Sequence, residues 1–154
     1  LTTGAYCIYN NTAANKDIYG ALYNWYAVTD ARNIAPVGWH VSTDAEWTTL
    51  TTYLGTGAGG KMKEYGTSHW TTPNTGATNS SGFSALPCGD RGSMNGMAVD
   101  GLFLNLKEYG SFWTSTEADA TSGFSRYVYY GSAAIGRDNG YLKINGYGVR
   151  LVKD

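Results

Sequence analysis

The chain has 154 residues, with 11 Lys and Arg against 12 Asp and Glu, a net charge of -1, and only 15% charged residues. That balance excludes a basic nucleic-acid binder. The 14% aromatic and 42% hydrophobic content excludes a disordered tail, and 21 Gly with 13 Tyr is not the composition of a helical bundle or coiled coil.

The length fits one domain around one core, and no linker or composition break divides residues 1–154. No apolar run is long enough to span a membrane. The start Leu1-Thr2-Thr3-Gly4 has neither Met nor a basic leader, so a mature protein or a domain cut from a longer chain is expected.

Ala5 to Tyr9 reads as a strand, closed by turn chemistry at Asn10-Asn11-Thr12. Asp17 opens a predicted helix, with Ile18, Leu22 and Trp25 on one apolar stripe. Tyr19, Tyr23 and Tyr26 in the same stretch are expected in the core. Asp30 to Pro36 is a loop, and Gly38-Trp39-His40-Val41 a short buried strand. Thr43-Asp44-Ala45-Glu46 is a capping box. The helix it opens buries Trp47, Leu50 and Leu54 and stops at Gly55.

From Gly55 to Gly82 periodicity fades, with Trp70 as the large apolar anchor. Such a stretch is either a packed excursion or a functional loop. Strands are predicted at 83–86, 102–106, 112–116, 124–130, 141–144 and 148–153. Early helices and late short strands predict an α+β fold with an antiparallel sheet. The echo of Lys63-Glu64-Tyr65-Gly66 in Lys107-Glu108-Tyr109-Gly110 is too short for a repeat architecture.

Several patterns suggest chemistry and fail on context. Gly55, Gly57, Gly60 and Lys61 mimic a phosphate-binding loop, but a helix precedes them, and Met62 stands where Ser or Thr must hold magnesium. A flexible glycine loop is expected there. His40 and His69 are isolated from any nucleophile motif and from zinc-ligand spacing. Glu108, Glu117, Asp119 and Asp138 are the acids that could supply a glycosidase pair. No cofactor is expected. Asp and Asn near turns leave calcium open, without EF-hand spacing. Cys7 and Cys88 allow one disulfide and define no framework.

The aromatic pattern is the strongest. In the strand at 124–130, alternation puts Arg126, Val128 and Tyr130 on one face and Tyr127 and Tyr129 on the other. One face should be core. The other, joined by Trp113, Arg126, Arg137, Asp138, Asn139, Tyr141 and Tyr147, has the composition of a binding surface. The competing expectation is that these tyrosines pack a small sheet.

Three segments carry a resemblance: residues 19–28 (Tyr-Gly-Ala-Leu-Tyr-Asn-Trp-Tyr-Ala-Val), residues 36–47 (Pro-Val-Gly-Trp-His-Val-Ser-Thr-Asp-Ala-Glu-Trp) and residues 73–83, with Phe112 to Glu117 and Tyr147 to Val152 continuing it. In these the chain closely resembles the Fibrobacter succinogenes major paralogous domain, found in surface and secreted proteins of Bacteroidota-type bacteria and their phages. The resemblance implies a C-type-lectin-like fold of the formylglycine-generating-enzyme type, with two helices on short antiparallel strands and long loop excursions. The enzyme's active cysteines have no match here, and the calcium-lectin tripeptides Glu-Pro-Asn and Gln-Pro-Asp are absent. Two cysteines common in the family are replaced by Ala35 and Leu151. In related folds the C-terminal third carries the ligand surface, which points to Tyr127 through Tyr147.

The expectation is therefore a non-catalytic recognition or adhesion domain, extracellular, at a cell surface or on a phage particle. Its partner would be a glycan or a surface protein, without nucleic acid or membrane insertion, and its oligomeric state is open. The alternatives are a structural subunit or spacer of a surface filament or phage fibre, and, as a minor one, a polysaccharide-acting hydrolase.

Overall fold

The structure, a computed structural model, describes residues 2–94 and 97–154, and side chains outside 93–100. The capping box folds as expected. The Thr43 hydroxyl accepts from the Glu46 amide, the Glu46 carboxylate accepts from the Thr43 amide, and α3 (Asp44–Leu54) follows. Trp47 is buried and Leu50 and Leu54 pack beside it.

The first half departs from the predicted single stripe. Gly20 adopts φ 76, which ends α1 (Ala13–Tyr19) after Tyr19. The chain then makes β2 (Leu22–Tyr23), which pairs with β1 (Tyr6–Cys7). Asn24 caps a separate short α2 (Trp25–Val28), its side chain accepting from the Ala27 amide at 3.0 Å. Leu22 and Trp25 are buried by different neighbours, and Ile18 is exposed. Of β3 (Trp39–Val41), predicted as buried, only Val41 is interior, while Trp39 is exposed.

The glycine stretch is not a flexible loop. It folds as α4 (Ala58–Met62), and a Cβ on Gly59 would stand 2.2 Å from the Ala134 carbonyl, one on Gly60 2.2 Å from that of Gly76. These glycines let backbones touch. Residues 55–82 are thus a packed excursion. Trp70 is buried, and fully buried Lys63 donates to the carbonyls of Thr75, Tyr129 and Ser132 at 3.0, 2.9 and 2.9 Å. Desolvation pulls the Lys63 ammonium down to about 8. Its counterpart in the sequence echo, Lys107, is exposed, so the two copies share no structural role.

The later strands are β4 (Asp90–Met94), β5 (Met97–Leu104), β6 (Tyr109–Glu117), β7 (Ser122–Tyr129), β8 (Ile135–Leu142) and β9 (Leu151–Lys153). Residues 83–86 form only a bridge between Ala85 and Lys63. The antiparallel order is β6-β7-β8, and the β4–β5 hairpin joins the β6 edge through a Gly89–Gly110 bridge. β3 pairs with β9, so the last strand returns to residues 39–41. The architecture is mixed α+β with small antiparallel sheets and short helices.

One face of the β6–β7–β8 sheet carries Phe112 and Val128, which meet Trp47, Met62 and Trp70 in the larger core cluster. Burying each such side chain contributes about 1.5–3 kcal/mol. On the opposite face Trp113 meets Trp25, Val28, Val41 and Tyr147. Helix α3 is fastened to the first face by ions. Asp44 accepts from Arg126 Nε at 2.8 Å and pairs with Arg137 at 3.0 Å.

Candidate ligand-binding face

The alternation in β7 places the predicted tyrosines as expected. Arg126 and Val128 are buried against α3 and its neighbours, while Tyr127 and Tyr129 lie half-buried on the far face. Register aligns Tyr109 with Tyr129, Ser111 with Tyr127 and Trp113 with Ser125 on β6, and Gly136 with Tyr127 and Asp138 with Ser125 on β8. One face therefore holds Tyr109, Tyr127 and Tyr129 at one end, and Trp113, level with Ser125 and Asp138, at the other.

The two ends differ. The Trp113 end is closed. Trp113 is fully buried, donates to the Tyr23 carbonyl at 3.0 Å, and packs tilted against Tyr147 with ring centroids 4.5 Å apart. The Tyr109 end is half-exposed. Its rings form a ladder, with Tyr109 4.6 Å from Tyr129 and 5.9 Å from Tyr127, and Tyr129 4.5 Å from Tyr130. Gly136 makes room for it, since a Cβ there would stand 2.1 Å from Tyr127 Cζ.

The nine predicted residues sort accordingly. Tyr127 and Tyr129 share the open end, Asp138 lies in the row of Ser125 and Trp113, and half-buried Tyr141, opposite Gly123, packs at the closed end 5.3 Å from Tyr147. Trp113, Arg126 and Tyr147 are corrected to interior residues, the first and last by aromatic packing and Arg126 by its pairing with Asp44. Arg137 reaches the opposite face, where it pairs with Asp44 and lies 4.2 Å from the Phe124 ring. Asn139 is exposed and by alternation falls with Arg137.

Tyr109, Gly136 and Asp90 were missed. Tyr109 lies before the predicted start of its strand, although the alternation Tyr109-Ser111-Trp113 runs straight through it. Asp90 is buried, and Asn105 donates to it at 2.7 Å.

The electrostatics keep Tyr109, Tyr129 and Tyr141 neutral. A hydrogen bond with Tyr130, aided by desolvation, pushes Tyr129 up to about 12. Burial, with Asp138 and Asp90 nearby, does the same to Tyr141. Tyr109 is raised by burial, Tyr127 and Glu108. Asp90 is itself raised to about 6 by burial. Neutral phenols offer both a donor and an acceptor beside an apolar ring.

The other candidate chemistries are absorbed locally. Glu117 pairs with buried Lys143, Asp119 accepts from the Thr121 and Ser122 amides, and Asp138 accepts from the Gly140 amide. His40 lies between Asp154 and Glu46, and His69 beside Glu64. Cys7 and Cys88 are both free. Among the described residues no group of three or more His, Cys, Asp or Glu could hold a metal, and no helix is long and apolar enough to cross a membrane.

A family model described as Fibrobacter succinogenes major domain matches residues 1–153. No curated protein and no solved structure matches the chain.

Proposed function

The chain belongs to the Fibrobacter succinogenes major domain family, and from that premise we propose that it is a non-catalytic recognition domain that binds a glycan or surface protein through the Tyr109–Tyr127–Tyr129 face. The proposal extends to a C-type-lectin-like fold and to an extracellular setting on a cell or phage surface. The observation that carries it is the ring ladder on the open half of the sheet, seated on Gly136. Packing alone would bury such rings, as it buries Trp113 and Tyr147 on the same face. Tyrosine gives a large contact area at low entropy cost, its ring stacks on apolar faces such as the C–H side of a sugar, and its neutral hydroxyl pairs with hydroxyls and amides.

A glycan array followed by titration of a ligand it identifies tests the proposal. Tyr127→Ala and Tyr129→Ala should each weaken binding about tenfold, the loss that removing one anchoring aromatic produces. Wild-type affinity in both variants would refute this face as the site.

A further inference from the structure

Arg150 differs from three of the other arginines. Arg32 pairs with Asp30, and Arg126 and Arg137 pair with Asp44. Among the described residues no carboxylate lies within ion-pair distance of Arg150. Its guanidinium donates to the Val149 carbonyl at 3.2 Å and lies 4.7 Å from the Phe112 ring and 5.2 Å from that of Phe83. Burial draws its pKa below the usual guanidinium range. A guanidinium removed from water has donors in a planar fork that one wall carbonyl leaves largely unused.

Arg150 lines a groove of about 650 Å³, within the range of small-molecule sites, and its guanidinium lies over Phe83 of the same lining. The groove runs between α3 and β9, and Trp47, Leu50, Tyr53, Phe83 and Leu151 give it an apolar lining. Glu46 is the acid on its wall, and its carboxylate already accepts from the Thr43 amide and hydroxyl at 2.8 Å, with a His40 ring nitrogen at 2.8 Å. One end is therefore a cation lacking a counter-charge, the floor is aromatic and aliphatic, and the wall acid is occupied.

We propose that this groove binds a small amphipathic carboxylic acid, its apolar chain along Trp47, Leu50 and Phe83 and its carboxylate paired with Arg150. A carboxylate matches the guanidinium fork with two parallel hydrogen bonds, and the chain covers apolar surface that α3 and β9 leave open. The site is separate from the tyrosine face, because α3 packs on the opposite side of the sheet.

Calorimetric titration with decanoate and with decanol, each below its aggregation limit, tests the proposal. Decanoate binds one site, and decanol binds about tenfold or more weaker, the difference a charge-assisted hydrogen bond makes. Tyr53→Glu, at an exposed position on the groove wall, weakens decanoate more than it weakens decanol. Arg150→Met reduces decanoate to the decanol level, and Arg150→Lys retains part of the preference. Should Arg150→Met fail to fold by circular dichroism, the decanoate-to-decanol ratio and Tyr53→Glu decide the matter. Tyr129→Ala leaves decanoate binding intact, which separates this site from the tyrosine face. Absence of decanoate binding, equal affinity for the two ligands, or indifference to Tyr53→Glu overturns the proposal.

Discussion

Gly136→Ala reports on whether the tyrosine face is preset by the backbone beneath it. The added Cβ would lie 2.1, 2.3 and 2.4 Å from three atoms of the Tyr127 ring, well inside any normal contact. The φ of Gly136 lies outside the left-handed region, so the backbone itself accepts alanine. Relieved of the ring, alanine in a strand should be better than glycine by roughly 0.5–1 kcal/mol. With the ring in place, overpacking costs about 1–3 kcal/mol. The substitution should therefore destabilise the wild type and stabilise a Tyr127→Ala background. Urea unfolding of the four proteins measures the coupling, expected to be about 2 kcal/mol. The single variant should also lose ligand affinity, because the displaced ring leaves the ladder with Tyr109. Additivity within about 0.5 kcal/mol would refute the account of a ring seated on Gly136.

Two further predictions concern buried charge. Asp44→Ala strands Arg126, which is 4% exposed, and should cost about 3–5 kcal/mol in urea unfolding; a loss under about 1 kcal/mol would show the pair to be dispensable. Burial raises the Asp44 carboxyl, but the bonds from Arg137 and Arg126 outweigh it and hold it below its ordinary value. Its contribution is thus present above the unfolded pKa and lost as pH falls through the folded one, so the variant should also flatten the acid limb of the stability profile. Asp90 has the opposite sign. Burial raises it from 3.8 to about 6, so its contribution is fully present below the unfolded value and is lost as pH rises through about 6. Asp90→Asn should gain about 1–3 kcal/mol at pH 7 and less at pH 5, read from urea midpoints at each pH; an equal change at both would contradict the buried-carboxylate account.

The sequence made legible those elements whose cause is local. Thr43 and Glu46 close a capping box from side chains three residues apart, and the alternation at 126–130 separates Val128 from Tyr127 without knowledge of any partner strand. What stayed hidden depends on non-local contacts. The apolar spacing of Ile18, Leu22 and Trp25 mimics a helix, yet Gly20 breaks it and β1 and Tyr147 claim the segment. The glycines at 59 and 60 read as flexibility because the Ala134 and Gly76 carbonyls that require them lie far along the chain. The site was half legible. Tyr127 and Tyr129 follow from alternation. The inward commitment of Arg126 required Asp44 from α3, and the burial of Trp113 and Tyr147 required Trp25.

The tyrosine face is tested most directly by ring-labelled tyrosine spectra recorded while a ligand from the array is added. The ring resonances of Tyr109, Tyr127 and Tyr129 should shift together and saturate with one affinity, while those of buried Tyr9 and Tyr147 stay in place. Shifts confined to residues of α3 and β9, with the Tyr109–Tyr127–Tyr129 rings unmoved at saturation, would contradict the assignment of recognition to this face.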